Sequence, residues 1–401
     1  MLFKQSLIGL LTLVVSAPLM AAGVAYHISD LEDSNYGGVS GSIAFSAGHD
    51  DNVSNLENDE ISSTSYRVEP QASVALKREH TRFGINYHSY AGWYQDNSDD
   101  DYWDNAIQLY AHHEFSARHK LIARYQYKHG HIERGLGVSE GQQDSYPRPP
   151  KFDDHYGYFE YQFGVKDALF NLDLHLRVED FEYTNFKERL KTSNYEVLEY
   201  GGTAYIRVSP ATKLTFDGFR EDIDYKYTPA GAVTRDNHKY GALAGMTWDL
   251  TARTSGFAKA GYEKKEFDRP DIDSYDGFSW DLGVNWELKS YSVFTLSSSK
   301  RAMEPDLDGD VVDRESIRLR WTHDWNDKVN TELAGGYSNE DFEGTADNRV
   351  DKVTESYASI GYDYTNWLTL QMSWKYRNVD SNRDLISHDK NVILFSTIFS
   401  L

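Results

Sequence analysis

The stretch Asn391 to Leu401 constrains the chain more than any other, because it alternates like a membrane-facing strand and runs to the last residue. By a period of two, Ile393, Phe395, Thr397, Phe399 and Leu401 share one face, and Val392, Leu394, Ser396, Ile398 and Ser400 share the other. In hydrocarbon an open strand edge strands N–H and C=O groups, each at several kcal/mol. The last strand is therefore expected to close against the first. The fold class that follows is all-β, a transmembrane antiparallel up-and-down β-barrel.

The amino-terminal end indicates the membrane. Lys4 precedes an apolar run from Leu7 to Leu19, and Ala21, Ala22 and Gly23 supply small residues for cleavage. A spanning helix needs about 20 apolar residues, whereas this run is shorter and contains Pro18. Residues 1–22 are thus expected to be a cleaved signal peptide, leading to the outer membrane by way of the periplasm. Residues 23–40 are polar with little alternation and read as a short periplasmic or lumen arm, with the barrel spanning 41–401.

Composition narrows the class further. The formal net charge is −22, so the electrostatic footprint of a nucleic-acid binder is missing. There is no cysteine, so neither disulfides nor thiol chemistry are available. The mean hydropathy of −0.64 suits a barrel whose strands alternate lipid-facing and water-facing residues between polar loops. The 29 Tyr, 9 Trp and 19 Phe residues fit interfacial girdles.

Short polar turns are expected near Arg78–His80, Ala117–His119, Lys166–Asp167, Ser209–Thr212, Thr251–Arg253, Glu287–Ser290, Asn326–Lys328 and Thr365–Asn366. They recur about every 40 residues, which is hairpin periodicity, and between two periplasmic termini they imply about 18 strands. Beside these turns Phe115, Trp248, Trp286, Tyr291, Trp325 and Trp367 are expected to form the periplasmic girdle. Trp93, Tyr94, Tyr102, Trp103, Tyr183, Tyr195, Tyr225 and Tyr227, beside the long loops, would form the outer one. The longest loop, Glu133 to Asp153, follows the fifth strand and is expected either to fold inward as a constriction or to move freely on the surface.

Site chemistry is weighed against that scaffold. Asp306, Asp308, Gly309 and Asp310 lack the spacing and closing Glu of a calcium loop, and the acidic clusters Asp50–Glu60 and Asp99–Asp101 read as solvated loops. His112 and His113 point to opposite faces, and His129 and His131, on one face, read as rim residues rather than ligands. No metal or other cofactor is expected. A barrel of about 18 strands is wide enough for an aqueous channel, and no Ser and His pair stands out, so the chain is not expected to be an enzyme.

The inner face is the informative surface. Tyr110, Arg124, Lys128, Asp173, His175, Arg177, Asp281, Arg318, Arg320, Glu332 and Lys375 fall at inward positions and are expected to line the pore. Both signs are present, so this wall is hydrophilic without being a ring of one charge. It suits a hydroxyl-rich passenger and equally suits small solutes.

The mature chain resembles the putative beta-barrel porin 2 family, outer-membrane barrels associated with exopolysaccharide and capsule export. The likeness lies in the opening strand and its acidic continuation from Gly41 to Ser54, in Tyr-rich hairpins such as Glu199 to Arg207, and in Trp374 to Arg383 before the last strand. The resemblance implies a passive conduit working with a periplasmic polysaccharide-export protein and an inner-membrane copolymerase, set in outer-membrane lipid and lipopolysaccharide. It carries over no functional residue. Barrel-assembly signals usually end in Phe; here the last residue is Leu401, with Phe399 and Phe395 keeping the pattern the assembly machinery would read. The alternatives are a general or sugar-selective diffusion porin and, from another class, a surface adhesin or receptor barrel whose acidic loops do the binding.

Overall fold

Alternation of apolar and polar residues, punctuated by short turns, gives one closed antiparallel sheet of 18 strands. The computed structural model describes residues 38–401 except Ala252 and Pro270. The expected signal peptide and the arm up to residue 37 lie outside the described residues.

The first six strands are β1 (Gly38–Asp50), β2 (Ser63–Arg78), β3 (Thr81–Tyr94), β4 (Tyr102–Ser116), β5 (His119–His131) and β6 (Lys151–Phe163). Next come β7 (Phe170–Tyr183), β8 (Tyr195–Ser209), β9 (Thr212–Tyr225), β10 (Asn237–Thr251), β11 (Thr254–Phe267) and β12 (Tyr275–Lys289). The last six are β13 (Ser292–Met303), β14 (Val311–Asp324), β15 (Val329–Glu343), β16 (Val350–Thr365), β17 (Leu368–Ser381) and β18 (His388–Ser400). Each pairs with its neighbours in sequence, and β18 closes on β1 with Ser42 opposite Ser400 and Asp50 opposite Val392. Strands of 12 to 16 residues, tilted at about 40°, are long enough to cross a bilayer.

Two boundaries differ from the sequence expectation. β1 begins at Gly38 rather than Gly41, because Gly38 to Ser40 extend the ladder to Ala75, Val74 and Ser73 of β2. Residues 151 to 153, expected in the long loop, belong to β6, where they pair with His131, Gly130 and His129. The short turns fall where expected, except that β12 runs on to Lys289 and turns one step later.

Glycine is required where closure is tightest. A Cβ on Gly48 would come within 1.9 Å of the Ile393 carbonyl oxygen and 2.6 Å of a Leu394 methyl, both on β18. Gly48→Val is expected to destabilise the closed barrel by about 1–3 kcal/mol or more, as overpacking does. The readout is a lower temperature for loss of the compact, fast-migrating form on electrophoresis. Gly38→Val, with nothing within 4 Å of the added Cβ, should leave that temperature unchanged.

Candidate functional site

Curvature identifies the two faces. Only on the concave side can a side chain reach over a neighbouring strand to the next one, and Arg177 of β7 does so to Glu221 of β9. Lys259 of β11 reaches Asp217 of β9 at 3.0 Å, Arg301 of β13 reaches Glu263 of β11 at 2.7 Å, and Arg318 of β14 reaches Glu355 of β16 at 3.3 Å. The opposite face carries exposed apolar side chains, among them Ile85, Leu109, Leu174, Phe216, Leu319, Ile360 and Phe395. The period of two therefore produces a charged inside and an apolar outside.

The sequence-derived pore residues all sit on that inner face. Tyr110 is buried there. Arg124 lies over the Tyr158 ring and Lys128 over the Phe152 ring, each 5.2 Å from the centroid. Asp173 is hydrogen-bonded with Tyr205, and His175 pairs with Glu199 at 3.2 Å. Arg177 donates to Glu179, Glu199 and Glu221 together, while Asp281 accepts from Arg301 at 3.2 Å. Arg320 pairs with Glu332 at 2.7 Å, and Lys375 stands exposed. On the outer face of β18 Phe395 and Phe399 point away from the wall, and Leu401 is fully exposed beside them.

Several aromatics expected in the outer girdle turn inward instead. Trp93 and Trp103 do face outward, 47% and 66% exposed, and Tyr227 is exposed as well. Tyr94, Tyr102 and Tyr183 are buried; Tyr195 stacks on Phe181, and the Tyr225 hydroxyl donates to Glu304. Parity is the reason: Tyr94 and Tyr102 fall on the same face as Asn86 and Gln108, so nearness to a loop did not determine their direction. At the periplasmic end Phe115, Trp286, Tyr291, Trp325 and Trp367 of the expected girdle are exposed, and Phe294 and Trp321, which nearness to a turn did not single out, join Trp286 and Trp325 in successive ring contacts.

The inward aromatics build the floor under the long loop, residues 132–150, which folds across the extracellular mouth. Val138 and Tyr146 of this loop pack with Phe152, Tyr183 and Leu190. Asn55 donates to the Arg134 carbonyl, and Gln143 donates to the Asn55 carbonyl, tying the loop to the β1–β2 connection. Arg134 is clamped on Asp100 of the next loop. On the far side Glu140 pairs with Arg349 at 2.7 Å, and Gly141 lies against Leu385 and Ile386. Near the root, Lys390 of β18 joins Glu133 at 2.9 Å and Asp50 at 3.2 Å. Of the two alternatives, inward folding is the one observed.

Electrostatics divides these loop anchors into a firm one and a conditional one. Burial raises Glu133, but the Lys390 ammonium outweighs it and holds the carboxyl at about 2. Burial pushes Glu140 up to about 7 despite Arg349, which is already matched by Asp351. Asp306, facing the same cluster, is pushed up to about 6 by burial and by Glu340.

A carboxyl raised by the closed loop stabilises closure below its ordinary 4.5 and loses that contribution as pH rises through about 7. Between pH 6 and 8 this weakens closure about tenfold. The channel is thus expected to be open more often at pH 8 than at pH 6, measured by single-channel recording. Glu140→Gln should flatten that window, since Asp306 titrates mainly below it.

The histidine pairs do not form a cluster. His129 bonds Asp153 at 2.6 Å, whereas His131 is buried, stacks on Tyr102 and bonds Asp104 at 2.9 Å. The two rings therefore have different surroundings, contrary to the shared face expected from spacing, because β5 ends at His131 and its last ring turns onto Tyr102. Among the described residues no group of three or more His, Cys, Asp and Glu could hold a metal ion.

An apolar outer wall, a hydrophilic inner wall and a loop folded into the mouth define an outer-membrane porin-like barrel. A family model described as "Putative beta-barrel porin 2" matches residues 38–398, and the chain belongs to that family. No curated protein is matched. Among solved structures the chain is similar to the FrpB iron transporter from Neisseria meningitidis (F3-3 variant), at 10% identity and TM-score 0.50, covering 93% of this chain and 83% of that one. It is also similar to Pseudomonas aeruginosa OccK3 (OpdO), at 15% identity and TM-score 0.47, covering 93% and 97%. A third is Acinetobacter baumannii OccAB4, at 12% identity and TM-score 0.46, covering 90% and 98%. At 10% identity the likeness to the FrpB transporter is one of fold alone.

Proposed function

We propose that the barrel is a passive conduit through which an exopolysaccharide or capsular polysaccharide leaves the periplasm, working with periplasmic and inner-membrane export partners. The observation that carries this reading is the neutral hydrogen-bonding ladder on the inner wall of β2 to β5. Ser73 donates to Asn86 at 2.6 Å, Asn86 to Gln108 at 3.2 Å, and Gln108 to Gln126 at 3.4 Å. Amide groups that bond one another can exchange those bonds for sugar hydroxyls without leaving a donor unsatisfied.

The loop across the mouth favours a second reading, a general or sugar-selective diffusion porin, because a narrowed mouth suits small solutes. Deleting the chromosomal copy and quantifying surface against periplasmic polysaccharide, with a complemented strain, separates the two. Retained or arrested polymer supports the conduit. Unchanged surface polymer with altered uptake of small sugars rejects it and leaves the diffusion porin.

A further inference from the structure

Charge of both signs lines the wall, but exposure divides it unevenly. On the β7–β13 side the cations are locked in pairs, with side-chain exposures of 10% for Arg177, 8% for Lys259 and 16% for Arg301. On β14 Arg318 and Arg320 are 42% and 45% exposed, and Lys375 on β17 is exposed too.

The register brings these open cations together. Arg320, Ala334, Tyr357 and Lys375 lie in one row across β14 to β17. The row on its extracellular side runs Arg318, Gly336, Glu355, Arg377 and on to Lys390. Small residues on β15 leave the long heads uncovered: the Arg318 guanidinium would meet a Cβ on Gly336 at 3.5 Å as it crosses to Glu355. Glu332 and Glu355 neutralise only part of this charge, since Glu355 serves both Arg318 and Arg377. Lys375 also feels Glu69, Glu133 and Glu355, but Arg67 adds a further cation on that side, Glu133 is held by Lys390, and Glu355 is shared with Arg318 and Arg377.

We propose that this strip, which runs from Arg320 near the periplasmic turn of β14 to Lys375 at the middle of β17, binds the carboxylates of an anionic saccharide of the uronate kind. The proposal rests on the conduit reading above. Neighbouring strands are about 4.8 Å apart, so Arg320 and Lys375 stand about 14 Å apart along the row, enough for several extended sugar units. Tyr357 between them presents a ring to a sugar face, and each cation can make charge-assisted bonds that a neutral sugar cannot return.

The test uses the full mature barrel in planar bilayers under a KCl gradient, with oligogalacturonate or a malto-oligosaccharide of equal length added on the periplasmic side. Anion preference is expected, with block by oligogalacturonate at concentrations about tenfold or more below those of the neutral sugar. Arg320→Gln with Lys375→Gln should remove that difference, and Lys264→Gln, on the outer face, should not. Equal block by the two sugars, or undiminished oligogalacturonate block in the double variant, overturns the strip while conduction stands. Calorimetric binding of oligogalacturonate to the solubilised barrel, lost in the double variant, supports the strip even if bilayers fail to conduct, and that failure falls on the conduit reading alone.

Discussion

Replacing residues 134–149 by a short Gly-Ser linker is expected to raise single-channel conductance several-fold while the barrel stays folded. Those residues cross the mouth and meet Asp100, Leu190, Arg349 and Ile386, partners spread around the rim. They take no part in the strand ladder, because β5 and β6 pair from His119 with Phe163 to His131 with Lys151 without them. An aqueous passage of 16 to 18 strands is wide when unobstructed, so the loop is what limits it. Arg349→Ala should act in the same direction with a smaller effect. It removes the guanidinium, itself buried at 2% exposure, that Glu140 and Asp351 share, and a buried charge left unpaired costs about 3–5 kcal/mol. Unchanged conductance in the linker variant, with the compact form intact on electrophoresis, would sink the assignment of the loop as the constriction.

Deleting residues 388–401 is expected to abolish the barrel altogether. β18 pairs with β17 on one side and β1 on the other, so its loss opens two edges in hydrocarbon. The remaining strands cannot repair the gap antiparallel, because β1 and β17 run in the same direction. Buried inner residues would lose partners as well, including the Ser46 and Ser396 hydroxyls bonded at 2.7 Å. No fast-migrating form should be recovered from outer membranes of cells making this variant, with the chain degraded or aggregated in the periplasm. Phe395→Ala with Phe399→Ala keeps the ladder and removes outward rings, including the stack of Phe399 on Trp367, so it should lower yield without abolishing assembly. Wild-type yield from the double variant would remove Phe395 and Phe399 from the assembly signal.

Strand number and facing were legible because both follow from one-dimensional periods. Turn chemistry recurring at hairpin spacing placed the strands, and alternation placed Arg124, Asp173, Arg318 and Lys375 on the inner face without knowledge of their partners. Proximity to a loop gave the right direction only where parity agreed with it, as for Trp93 and Trp103. Tyr94, Tyr102 and Tyr183 lie near loops, a position that predicts the outer girdle, yet parity turns them into the mouth. His129 and His131 are two residues apart, yet one meets Asp153 and the other is buried on Tyr102.

The loop over the mouth shows the division most clearly. Its length left an inward constriction and a mobile surface loop as equal alternatives, because inward folding depends on contacts between residues far apart in sequence: Glu140 with Arg349, Glu133 with Lys390, Gln143 with Asn55. The sequence by itself determined a closed barrel, because a period of two and the cost of bare backbone in hydrocarbon leave no other arrangement for these strands. Only the tertiary structure decided which wall charges are paired and which stand open, because ion pairing across a curved sheet depends on register and on reach over an intervening strand.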